Sequence, residues 1–173
     1  EKSNEIKAIP ELLDLLSIKG CLVTIDAMGC QKEIAAKIVD KGADYLLAVK
    51  GNQEKLHGGI QAVFRKHLQS EPEQRGTIEQ GHGRIEYREY HVLDSSVLPA
   101  SITDAWVDIK TIGLAISYRI VKHKESRLEY RYFISSAVLT SSRFAKAVRS
   151  HWGIENKLHW VLDGVPQAHR FAA

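Results

Sequence analysis

The chain has 173 residues, with 24 Lys plus Arg against 21 Asp plus Glu, a net charge of +3 and 44% hydrophobic residues. This is the composition of an ordinary soluble globular polypeptide that buries roughly 70% of its unfolded surface, and it excludes collagen, coiled coil and wholesale disorder. No run of about 18 apolar residues is present to span a bilayer and the N-terminal residues lack the apolar stretch of a secretory signal, so a cytoplasmic protein with no membrane partner is expected.

In chain order, Ile6, Ile9, Leu12, Leu13, Leu15 and Leu16 stand at helical spacing, with Pro10 expected in a first turn. The apolar, β-branched run 21–25 reads as a strand buried on both faces that ends at Asp26. Residues 31–41 predict a second helix with Ile34, Ala35, Ile38 and Val39 on one side, closing at Gly42. A second buried strand over 45–49 ends at Lys50-Gly51-Asn52. Two such strands joined by a short helix predict a parallel βαβ unit, which brings Asp26 and Lys50 to the same edge of the sheet. A helix over 53–68 follows, then a polar loop over 69–83. Segments 85–93, 106–121 and 130–135 are rich in Tyr, Val and Ile and predict antiparallel strands, so that roughly 77–136 reads as a β insertion within an α/β domain. Thr140-Ser141-Ser142 supplies an N-cap for a long helix over 144–162. Cys21 and Cys30 lack metal-ligand spacing and read as small buried hydrophobes.

Charge is spread unevenly. From Arg119 to Lys157 nine Lys or Arg stand against three Glu, whereas the rest of the chain carries fifteen bases against eighteen acids. A locally basic third suits a polyanion better than the overall balance implies, the plain alternative being a solvated charged face.

Two acids stand out. Asp26 follows a buried strand, and in open α/β sheets ligands gather outside the carboxyl ends of strands. Its alternative is a turn former ahead of Gly29. Glu155 belongs to the series Val148, Trp152, Glu155, His159, Leu162, spaced 4, 3, 4 and 3, which is the core-facing stripe of the last helix. A carboxylate in such a seam needs a basic partner or a metal. Its alternative is a surface pair with Arg149 or Lys157. His151, Glu155 and His159 could also form a helical metal site, without the His-Glu-x-x-His order of a zinc protease. His82-Gly83-Arg84 with Glu86 reads as the charged start of a hairpin or as a nucleic-acid contact.

Four blocks in this order carry a resemblance: Val23 to Gln31 (VTIDAMGCQ), Tyr45 to Gln53 (YLLAVKGNQ), His82 to Glu86 (HGRIE) and Val148 to Asn156 (VRSHWGIEN). Over about residues 2–163 the chain resembles the H-repeat-associated family of bacterial insertion-sequence transposases. The resemblance implies a DDE transposase with an α/β, ribonuclease H-like mixed sheet and flanking helices, interrupted by an antiparallel β insertion. It implies that residues 1–173 are a partial catalytic domain. Asp26 matches the second acid of the catalytic triad, and Glu155 the third, in Arg149-x-x-Trp152-x-x-Glu155. The family's first Asp lies on an upstream strand that this chain lacks. The sequence also departs from the family after Asp163, so a chain truncated at both ends, or a degraded element, is expected.

The chemistry implied is cleavage and joining of DNA phosphodiesters by two Mg²⁺ or Mn²⁺ ions about 3.5–4 Å apart, held by carboxylates because these hard cations prefer oxygen. Asp26 and Glu155 would be the metal ligands in this chain. Lys50, Asn52, Arg84 and Arg149 would contact the backbone of transposon-end and target DNA, and a homodimer in a synaptic complex is compatible with that role. Two other readings stay open from the residues: a non-catalytic DNA-binding remnant, and a receiver-like phosphoacceptor domain built on Asp26 and Lys50. The receiver leaves the β segments and Glu155 without a task.

Overall fold

A computed structural model describes the backbone of residues 2–70, 76–81, 84–121, 124–125 and 128–163, and the side chains of 6–70, 76–81, 84–120 and 128–152. The first helix, α1 (Lys2–Leu15), precedes a parallel unit of β1 (Leu22–Ile25), α2 (Lys32–Asp40) and β2 (Asp44–Val49), in which Leu22 pairs with Asp44 and Ile25 with Leu47. This is the predicted βαβ pair. Helix α2 ends where Gly42 adopts φ +70°, a left-handed geometry that any side chain would strain. A 3₁₀ turn (Gly51–Gln53) then starts α3 (Glu54–Ser70).

The antiparallel part follows as β3 (Thr77–Gly81), β4 (Arg84–Asp94), β5 (Thr111–Val121), β6 (Lys124–Glu125) and β7 (Glu129–Ser135), with α4 (Ala100–Thr103) between β4 and β5. These strands do not form a sheet of their own. They continue the parallel pair in one mixed sheet of order β1-β2-β7-β5-β4-β3, β6 pairing with β5. The last helix, α5 (Ser141–Asp163), is capped as expected, Thr140 Oγ1 accepting the Arg143 N–H at 3.2 Å.

Strand alternation sorts the two faces. Tyr45, Leu47 and Val49 of β2, with Ile112, Leu114 and Ile134, meet α1 to α4 in the larger core. Leu46, Ala115 and Phe133 point the other way and pack on Phe144 and Val148 of α5. Helices therefore cover both faces, and among the described residues α5 is the helix on the second.

Several expectations need correction. Strand β1 is not buried on both faces: it is the sheet's edge, and all four of its residues are half-buried. Cys21 is correspondingly exposed, while Cys30 is buried. Pro10 sits inside α1, because the helix starts at Lys2 and the packing of Ile9 and Leu13 on the core outweighs the lost backbone bond. Residues 77–81 are a fully exposed strand and not loop, since an edge strand paired to β4 needs no apolar side. Trp106 precedes β5 and is buried in the larger core.

The two cysteines make a simple test of the loop after β1. Burial pushes the Cys30 thiol up to about 12, so it is expected to be inert. Titration with a thiol reagent should find one reactive group, Cys21, in the native chain and the second only in denaturant. Equal reactivity of both under native conditions would mean that the loop opens readily.

Candidate functional site

The parallel strands deliver Asp26 and Lys50 to one cleft of about 370 Å³. Its floor is Glu129, Arg131 and Phe133 of β7, and it runs on to Glu86 and Arg119; His151 and Trp152 of α5 form a wall. Period-two alternation explains the set, because the register puts Ser117 opposite Glu129 and Glu86 opposite Arg119 on the face that α5 partly covers. Helix α5 is seated on β1 by a contact of 3.0 Å between His151 Nδ1 and Thr24 Oγ1. The Arg131 guanidinium lies 3.8 Å from the Trp152 ring centroid, a cation–π stack, and donates to Glu129 at 2.7 Å.

Asp26 is exposed, and its Oδ1 accepts the backbone N–H of Met28 at 3.1 Å and of Gly29 at 3.4 Å. The turn-former reading thus holds for one oxygen. No hydrogen bond to Oδ2 is present among the described residues. Gly29 is required by close approach: a Cβ there would collide with Ile25 Cγ2. Side-chain amides from the segment after β2 reach across to this turn, Asn52 Nδ2 donating to Ala27 O at 2.7 Å and Gln53 Nε2 to Cys30 O at 2.8 Å.

An acid at the end of a parallel strand, beside a lysine and under a helix that carries the Arg-x-x-Trp-x-x-Glu motif, is the arrangement that a family comparison can test. Residues 1–169 match the family described as Transposase DDE domain. The chain belongs to the DDE transposases. The "H repeat-associated putative transposase YhhI" of Escherichia coli K12 is 47% identical over 170 residues, 95% of this chain and 45% of that protein. The "Putative transposase YncI" of Escherichia coli O157:H7 is 49% identical over 168 residues, 94% of this chain and 43% of that protein. The chain thus spans less than half the length of these relatives, which place it with the H-repeat-associated transposases. No solved structure matches it.

Within this transposase chain the sequence-derived candidates fare unequally. Lys50 is exposed and shares the cleft with Asp26, whereas Asn52, Arg84 and Arg149 do not line it. Asn52 turns its amide onto the Ala27 carbonyl. Arg84 lies 3.5 Å from Glu86, and Arg149 pairs with Glu79 at 2.9 Å, both arginines being half-exposed. The hydrogen bond from Arg88, ahead of the charge of Arg149, holds Glu79 below the usual carboxylate range. The side chains of Glu155, Lys157 and His159, together with His82 and Gly83, lie outside the described residues, and with them the expected approach of Glu155 to Asp26 and the helical metal site. Among the described residues no group of three His, Cys, Asp or Glu is placed to hold a metal ion, and no helix is long and apolar enough to cross a membrane.

Sequence reasoning missed Arg131, Arg119, Glu86 and Trp152 as cleft residues. The signal was present in the polar and charged residues alternating at 86 and 88, 117 and 119, and 129 and 131, which only a shared sheet turns into one surface.

Proposed function

We propose that this chain is part of the catalytic domain of a transposase that cuts and joins DNA phosphodiesters by two-metal catalysis, with a ribonuclease H-like fold. Residues 77–136 are then an insertion between its two acids, Asp26 and Glu155. The observation that carries the reading is the position of Asp26 at the carboxyl end of β1, where it lines a cleft walled by His151 and Trp152 of α5. Glu155 stands three positions beyond Trp152 and four beyond His151 in the sequence, the spacing of about one helical turn.

Of the two candidate ligands, the one that the described residues bring to the cleft, Asp26, has the right chemistry for the group. Mg²⁺ and Mn²⁺ take hard oxygen ligands, which Asp26 offers in an exposed setting. When bound, such ions polarise the scissile phosphate and activate the attacking oxygen. The chain's own residues do the rest. Lys50 supplies positive charge in the cleft that Asp26 lines, Arg131 is held by Trp152 and Glu129 at the cleft floor, and in this reading both orient an anionic backbone. A third carboxylate comes in this reading from a segment outside the 173 residues, and β1, which pairs with β2 alone among the described residues, would be the strand beside which it lies. Assembly as a pair on two DNA ends belongs to the same proposal.

DNA binding is tested first. With Lys50, Arg119, Arg131 and Arg149 neutralising about four phosphates, affinity for duplex DNA should fall about a hundredfold between 50 and 200 mM salt, with little sequence preference. Fluorescence anisotropy across that range reads the slope directly. Binding that ignores salt, or none at the low end, would remove DNA from the proposal.

A further inference from the structure

We propose that Asn52 and Gln53 are positioning residues, whose side-chain amides hold the Asp26 turn in place, and that Asn52 is not a DNA contact. The proposal rests on the metal-binding reading of Asp26 given above. Between β1 and α2 the chain turns through residues 26–31, where no sheet ladder can take up the backbone carbonyls. The four carbonyls of residues 27–30 nevertheless each have a donor. Ala27 O accepts Asn52 Nδ2 at 2.7 Å, Met28 O accepts Gln31 Nε2 at 3.2 Å, and Cys30 O accepts Gln53 Nε2 at 2.8 Å. Gly29 O accepts the Gln31 N–H at 2.9 Å. From the other side, Asp26 Oδ1 gathers the N–H groups of Met28 and Gly29.

Two of these donors come from the neighbouring strand's exit. Asn52 and Gln53 lie in the 3₁₀ turn Gly51–Gln53, itself closed by the Gln53 N–H on Lys50 O at 3.0 Å. The segments that carry Asp26 and Lys50 are therefore stitched to each other by side chains, beyond the reach of the last β1–β2 pair, Ile25 with Leu47. A carbonyl oxygen only accepts, so the amide nitrogen of residue 52 must face Ala27, and a carboxylate in its place would repel it. Ala27 and Cys30 are 8% and 0% exposed, so the latched backbone is out of water although Asn52 itself lies at the surface. A metal-ligating carboxylate has to be held to within about 0.5 Å of its productive position, which a turn lacking these bonds would not ensure.

The test compares the 173-residue chain with its Asn52→Ala, Asn52→Asp and Lys50→Ala variants. Amide hydrogen exchange at residues 28–31 should quicken about fivefold or more in both Asn52 variants, with the amides of Leu47 and Ile112 unchanged. Mn²⁺ affinity, read by electron paramagnetic resonance, should fall about tenfold, as expected when a supporting partner of a metal ligand is lost. Duplex binding without metal should be the same as in the unaltered chain, whereas Lys50→Ala should weaken it and leave the exchange alone. Unchanged exchange at 28–31 in both Asn52 variants overturns the latch. Loss of metal-free DNA binding in Asn52→Ala, with exchange unchanged, would return Asn52 to the DNA contacts. If the unaltered chain takes up no Mn²⁺ at all, the metal reading of Asp26 falls, and the exchange data still decide the latch.

Discussion

On the proposed two-metal reading, a longer chain that carries a further acid upstream should lose metal-dependent DNA cleavage when Asp26 becomes Asn, by well over the roughly 100-fold that loss of a merely supporting partner costs. The substitution is almost silent structurally. An Asn side chain keeps an Oδ1 that can accept the Met28 and Gly29 N–H groups, so the turn survives. What disappears is one unit of negative charge and the hard oxygen at Oδ2. Two divalent cations held close together repel strongly, and each missing carboxylate charge removes part of the field that keeps them in register. The same argument predicts that the 173-residue chain alone cuts nothing, and that Glu155→Gln in the extended chain behaves like Asp26→Asn. Cleavage of labelled DNA with Mg²⁺ and Mn²⁺, beside anisotropy binding, separates the cases. Full cleavage by the Glu155→Gln variant would make that carboxylate structural. Binding without any cleavage by the extended chain would leave a non-catalytic DNA-binding remnant as the better reading.

The features that were legible in the sequence are those fixed by local chemistry. The runs at 21–25 and 45–49 announced two parallel strands because continuous β-branched and apolar residues suit few other positions. Gly42 and Thr140 announced helix ends, the first through the left-handed backbone that the lack of a side chain permits and the second through the bond its hydroxyl accepts. Burial of β1 was not legible, since the same run serves a central or an edge strand and only its neighbours decide. Strand β3 was invisible for the converse reason: its five residues are all exposed, and its order comes from β4. The site divides in the same way. Asp26 follows from its place at a strand's carboxyl end. The direction of the Asn52 amide does not, because its partner, Ala27, belongs to a different crossing of the sheet. Arg131 over Trp152 is likewise a relation between β7 and α5 that no spacing encodes.

The largest effect on stability is expected from Glu86→Ala, at about 3 kcal/mol. Glu86 is 4% exposed, yet it gathers three guanidinium groups: Arg88 at 2.8 Å, Arg119 at 3.2 Å and Arg84 at 3.5 Å. Truncating it leaves three cations around an empty place. Arg88, itself 13% exposed, keeps only its contact with Glu79 at 2.8 Å, and its buried Nε has no partner among the described residues. For a chain of this size the loss corresponds to a fall of about 10 °C in Tm. Arg119→Ala, by contrast, removes a half-exposed partner and should cost under about 1 kcal/mol. Added salt should recover part of the Glu86→Ala loss by screening the repulsion between the half-exposed Arg84 and Arg119. Replacing Glu86 and Arg88 together by Leu should recover more, since an apolar pair in a buried site avoids the desolvation of both ions while Glu79 retains Arg149. Urea midpoints of the two single variants, the double variant and the unaltered chain, at low and high salt, measure these differences. If Glu86→Ala unfolds at the same midpoint as the unaltered chain, the three arginines do not depend on their shared carboxylate, and the far end of the Asp26 cleft is held by β-sheet pairing alone.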